Sequence, residues 1–117
     1  MLRAATILAV IAAPSVATAE PRWTQADTAL EVAVLATLGA DLLQTSEIVN
    51  GNRHLESNPI IRAGAPPALY FGAIAAAHVL ATRAIPQPYR AILQVATIAV
   101  EGRCIGINWS AGYELHF

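Results

Sequence analysis

Four titratable residues of this chain could do chemistry together: Asp41, Glu56, His78 and Glu101. Carboxylates beside a histidine can act as general acid and base, hold a metal ion or relay protons. Thr45, Asn58, Gln94 and Asn108 could bind a ligand next to them, because hydroxyls and amides both donate and accept hydrogen bonds. Burial penalises a charged carboxylate unless a cation or donor lies beside it. Each residue also has a plainer role open to it. Asp41 can be a helix-end group, His78 a neutral tie between helices, Asn58 before Pro59 a turn, and Gln94 and Asn108 interhelical hydrogen-bonding groups. Glu101 falls mid-helix, the most costly place for an acid in a membrane. The spacing matches no diagnostic metal motif, and the sequence names neither a metal nor a cofactor.

The elements that must position these residues show an inverted pattern. In 24–45 a narrow polar stripe runs through Asp27, Glu31, Asp41 and Thr45, with Val34 and Leu38 between them. In 89–109 it runs through Arg90, Gln94, Glu101 and Asn108, and in 67–85 through His78 and Thr82. A soluble helix has a wide polar face and an apolar stripe. The reverse arrangement predicts lipid outside and a polar interior. The spacing predicts helices over about 24–43, 67–85 and 89–109, each near the roughly 20 residues that span a bilayer. Thr24 and Asp27 form a capping-box pattern at the first start. Pro66-Pro67 marks the second start, and Pro86-Gln87-Pro88 makes a tight connection to the third. Residues 46–66 read as a loop, with Asn50-Gly51 and Asn58-Pro59 as turn signals. Asp27 and Glu31 read as interfacial, and Arg53 and His54 as exposed. Small residues four apart, Ala29/Ala33, Ala36/Ala40, Gly72/Ala76 and above all Gly102/Gly106, predict close approach of helices.

Bulk composition agrees. Of 117 residues, 56% are hydrophobic and only 13% charged, against about 25% charged in an ordinary globular domain. The net charge of −1 and the lack of a basic run exclude nucleic-acid binding as a leading class. A single cysteine, Cys104, rules out an intrachain disulfide. The first nineteen residues read as a signal peptide: Arg3, an apolar run from Ala4 to Ala13, then Ala17-Thr18-Ala19 before the cut. Cleavage there would leave the mature N-terminus periplasmic and the protein in a bacterial inner membrane. The positive-inside rule does not add to this, because the basic residues divide almost evenly.

The set Trp23-Thr24, Asp27-Thr28, Leu30-Glu31, Asp41-x-x-Gln44-Thr45, Glu56-x-Asn58-Pro59, Tyr70, His78, Pro88, Arg90, Gln94, Glu101 and Asn108 resembles uncharacterised small helical membrane proteins of proteobacteria and their phages. The resemblance implies a small helical membrane protein and brings no activity with it. The expected fold is all-α: a three-helix transmembrane bundle following a signal peptide. Its partners would be membrane lipid and a second copy or another membrane protein. Three functions fit this architecture. The first is binding of a ligand, ion or proton in the polar core, or support of a partner there. The second is an intramembrane hydrolase using Asp41, Glu56, His78 and Glu101. The third is a holin-like protein that perturbs the envelope.

Overall fold

Thr24 and Asp27 do cap each other. Asp27 N donates to Thr24 Oγ1 at 3.1 Å, and Thr24 N donates back to Asp27 Oδ2 at 2.8 Å. Two of the amides that a helix start leaves open are thereby satisfied. The structure, a computed structural model, describes residues 22–115, so the expected leader over 1–19 lies outside the described residues. From this cap helix α1 runs over Gln25–Asn52, 28 residues.

The first helix is longer than its expected end near Leu43, and it passes straight through Asn50-Gly51. Burial on one side explains the extension. Gln44, Thr45 and Ile48 are buried on the face that already carries Asp41, and Ser46 Oγ folds back to Leu42 O at 2.7 Å. This packing outweighs the cost of about 1 kcal/mol for a glycine within a helix. A single 3-10 turn, Arg53–Leu55, ends the run. Asn58 then caps the four-residue helix α2, Pro59–Arg62, through a 3.0 Å bond from Ile60 N to Asn58 Oδ1. Helix α3 spans Pro67–Ala84 and α4 spans Tyr89–Ser110, each within a residue of its expected bounds. Among the described residues there is no strand.

Side-chain pairing gives the topology. Asp27 meets Arg90, Glu31 meets Gln94, and Asp41 meets Asn108, so α1 and α4 run parallel. Helix α3 runs antiparallel to both, against α1, and brings His78 to Glu31. Helix α1 packs against both α3 and α4, and α3 touches α4 much less.

The interior is mostly polar. Seven hydrophobic residues and twelve polar or charged ones are buried among the described residues, so polar groups dominate the core. Val34, Leu38, Ile61 and Phe71 form a buried apolar cluster within it. The outside carries Leu35, Leu43, Leu69, Leu80, Ile92, Val95, Ile107 and other large apolar side chains. By length and composition α1, counted through Leu55, and α4 could each cross a membrane; α3, with 18 residues, is not counted with them.

Among the described residues no helix makes the close approach expected at the small-residue pairs. A methyl group added at Gly72, Gly102 or Gly106 would meet no atom within 4 Å. These glycines lie on exposed faces, and the contacts between helices are made instead by the polar stripes and the apolar cluster.

Candidate functional site

The polar stripes meet in two layers. The upper layer gathers around Asp27 and Glu31. Asp27 Oδ2 accepts from Thr24 N at 2.8 Å, Thr24 Oγ1 at 2.9 Å and Arg90 Nη1 at 3.0 Å, and Gln87 Nε2 donates to Oδ1. Arg90 also donates its Nε to Thr82 O at 2.7 Å. Both ends of this ion pair are buried, at 1% exposure for Asp27 and 2% for Arg90. Above it Trp23 stacks under Arg83 at 4.1 Å and near Arg90 at 5.1 Å. Buried charges of this kind persist only when paired and hydrogen-bonded.

One turn deeper, Glu31 joins the three long helices. Its Oε1 lies 2.9 Å from His78 Nδ1, and its Oε2 accepts from Gln94 Nε2 at 2.9 Å. Gln94 Nε2 also reaches Asp27 O at 3.0 Å. Two acceptors on the amide nitrogen fix the orientation of the Gln94 side chain. Two buried atoms of this layer, His78 Nε2 and Gln94 Oε1, have no hydrogen-bond partner among the described residues. Buried polar atoms left so are uncommon and call for an explanation.

The lower layer is neutral apart from Asp41. Asn108 Nδ2 donates to Asp41 Oδ1 at 3.2 Å and to Gln44 Oε1 at 3.3 Å, and Thr45 Oγ1 lies 3.5 Å from Asp41 Oδ1. Gln44 Nε2 donates to Tyr113 O at 2.8 Å. That carbonyl is delivered by the end of α4. Gly112, with φ +94°, lets Gly112 N bond Trp109 O and Tyr113 N bond Asn108 O, a Schellman closure. Asn108→Leu should leave Asp41 and Gln44 each short of a donor and lower stability by about 1–3 kcal/mol. Denaturant unfolding in a mild detergent measures the loss.

Three of the four expected catalytic residues, Asp41, Glu56 and His78, hydrogen-bond into separate groups. His78 pairs with Glu31, and Asp41 pairs with Asn108. Glu31 and Asp41 stand ten residues apart on one helix, about 15 Å along its axis. Glu56 is buried, but its Oε1 accepts from Asn58 N at 2.7 Å, so the Glu56–Asn58 pair shapes the turn into α2. Glu101 is half-buried on α4, at a register between the two layers. Of the expected ligand-binding residues, Gln94 belongs to the upper layer, Thr45 and Asn108 to the lower one, and Asn58 to the loop.

Other residues turn out to be central. Asp27 and Glu31 are buried rather than interfacial, and Arg90 is what makes Asp27 tolerable there. Arg53 is not a bare loop residue: its Nη1 donates to Ile61 O at 2.6 Å and to Ala65 O at 3.3 Å, pinning the segment around α2. The stripe 27–31–41–45 was the available signal for Asp27 and Glu31; nothing local signalled the reach of Arg53. No three His, Cys, Asp or Glu among the described residues are grouped to hold a metal ion. An open groove at the Asn52 end, lined by Leu43, Ser46, Glu47, Asn50, Gly51 and Glu114, contains none of the expected site residues. Comparison with known proteins finds no matching family model, no matching curated protein and no matching solved structure.

Proposed function

We propose that this is a small integral membrane protein, a three-helix transmembrane bundle whose polar interior holds a proton or a small polar ligand inside the bilayer. The observation that carries this reading is the inverted distribution of side chains. Twelve polar residues are buried while thirteen large hydrophobic ones are exposed among the described residues. In water such a surface would drive association. Against acyl chains it is the favourable arrangement, and the polar groups must then face one another.

Exposed aromatic residues at the two ends of α4 support the same placement. Tyr89 and Trp109 are 57% and 51% exposed. Twenty residues of helix separate them by about 30 Å, the thickness of the hydrocarbon core, and such residues favour the interface. The leader-like start favours a bacterial inner membrane, with Trp23 and the upper layer toward the periplasm. The resemblance of its polar pattern to small proteobacterial and phage membrane proteins belongs to this same reading. A hydrolase built on Asp41, Glu56, His78 and Glu101 has less support, because the hydrogen bonds of Asp41, Glu56 and His78 go to separate groups. A holin-like protein would not need the specific pairings of either layer.

The test is fractionation of cells expressing the full chain. The protein is expected in the membrane pellet and to stay there through a wash in alkaline carbonate. Release into the supernatant as a folded soluble species would overturn the reading.

A further inference from the structure

We propose, resting on the membrane-bundle reading above, that Arg83 on Trp23, with Arg22 beside them, binds the phosphate headgroup of an anionic phospholipid at the end of the bundle where α1 starts. Charge leads there. In the segments that form this end, 22–28 and 82–90, the charged residues are Arg22, Asp27, Arg83 and Arg90. Asp27 and Arg90 are buried and pair with each other. Arg22 and Arg83 are exposed, and neither makes an ion pair among the described residues. These segments therefore present two positive charges without a carboxylate partner. Arg83 is also held in place. Its guanidinium lies 4.1 Å from the centre of the Trp23 ring, whose Nε1 donates to Thr28 Oγ1 at 2.8 Å. A guanidinium over an aromatic face keeps its N–H groups for other acceptors. Arg83 spends none of them on a hydrogen bond among the described residues. An oriented guanidinium with open donors fits a phosphate, whose oxygens accept paired N–H bonds.

The surface next to the arginines suits the rest of a lipid. Trp23 and the exposed Tyr89 mark headgroup depth, because aromatic residues of this kind favour the interface. From Arg83 toward the middle of the bilayer α3 presents Leu80, Ala76 and Gly72, all exposed. Their spacing of three and four residues keeps them on the same face as Arg83. From Arg83 to Gly72 this lane runs about 16 Å, roughly half the hydrocarbon core and so the depth of one leaflet. A methyl group added at Gly72 would meet no atom within 4 Å, so the lane is open. A free anion would use the arginines alone. A phospholipid uses both features, with its phosphate on Arg83 and an acyl chain along the lane.

The test reconstitutes the full chain in phosphatidylcholine vesicles that hold a minor share of phosphatidylglycerol. The chain has two tryptophans, so Trp109→Phe leaves Trp23 as the reporter and Trp23→Phe leaves Trp109. Bromine on the lipid chains quenches an indole that it touches. With the same share of lipid brominated, Trp23 is expected to be quenched more by phosphatidylglycerol than by phosphatidylcholine. The preference should amount to roughly fivefold in affinity for each arginine engaged. Arg83→Gln should lower it about fivefold, whereas Arg83→Lys, which keeps the charge, should retain most of it. Equal quenching of Trp23 by the two lipids overturns the proposal and requires no arginine variant to fold. So does an Arg83→Gln protein, intact by circular dichroism, that keeps the full preference. A preference erased by inorganic phosphate, but not by chloride at the same ionic strength, gives the site to the free anion and overturns the lipid assignment. Brominated phosphatidylcholine alone separates the two ideas. If it quenches neither Trp23 nor Trp109, the membrane reading fails and this site with it. If it quenches both and phosphatidylglycerol adds nothing at Trp23, only the site fails.

Discussion

Replacing Arg90 with Met is expected to destabilise the protein by about 3–5 kcal/mol, the cost typical of removing one partner of a buried ion pair. Arg90 is 2% exposed and holds Asp27 Oδ2 at 3.0 Å while donating to Thr82 O at 2.7 Å. Without it Asp27 keeps its Thr24 and Gln87 donors but loses its counter-charge, and Thr82 O loses its side-chain donor. The double variant Asp27→Leu/Arg90→Met should recover most of the loss, because no isolated charge then stays buried. It should still fall short of wild type by about 1 kcal/mol, the usual worth of a helix N-terminal cap, since a leucine side chain at that position cannot complete the capping box. Thermal unfolding followed by circular dichroism in detergent gives the three stabilities. A single Arg90→Met variant within about 1 kcal/mol of wild type, well under the cost of stranding a buried charge, would show that the pair is incidental.

The second large effect separates lipid from water as the surroundings of α4. Val100 is 36% exposed, midway between Tyr89 and Trp109. On a soluble helix, Val100→Asp would change stability by no more than about 0.5 kcal/mol. At the middle of a membrane-spanning helix it should cost about 2.5–3.5 kcal/mol. That corresponds to roughly a hundredfold loss in the ratio of inserted to uninserted helix. A glycosylation-site insertion assay on α4 reads the ratio directly. Insertion unchanged by Val100→Asp would mean that this face does not meet acyl chains.

How much of this could be read in advance depends on what periodicity reports. A stripe at helical spacing gives the azimuth of each side chain, and so Asp27, Glu31, Asp41 and Thr45 correctly share one inner face. It does not give the height at which a facing helix meets that stripe. Asp41 and His78 therefore lie on inward faces and still belong to different layers. The level is set by the short Ile85–Pro88 connection and by pairs such as Asp27–Arg90, which join residues 63 positions apart. Proline punctuation placed α3 and α4 well, because the missing amide and fixed φ act locally. The end of α1 escaped the same logic. Asn50-Gly51 signals a turn, but burial of Gln44, Thr45 and Ile48 on α1 carries the helix through it. The Gly102/Gly106 spacing was legible as a close-packing motif, yet among the described residues no helix packs against it.

The unequal helix lengths have a mechanical consequence. Helix α1 is about 42 Å long, against about 27 Å for α3 and about 33 Å for α4. Pairing near Asp27 and Arg90 aligns α1 and α4 at one end, so the excess of α1 emerges at the other. There it is joined by the 3-10 turn, α2 and the Arg53 staple, whereas among the described residues the opposite end carries the Ile85–Pro88 connection and the short Trp23 segment. Embedded in a bilayer, the described part of the chain would be wedge-shaped, displacing more material in one leaflet than in the other. Such a wedge relaxes best where the membrane curves, and a thicker bilayer would draw the excess of α1 into the acyl region and reduce the asymmetry.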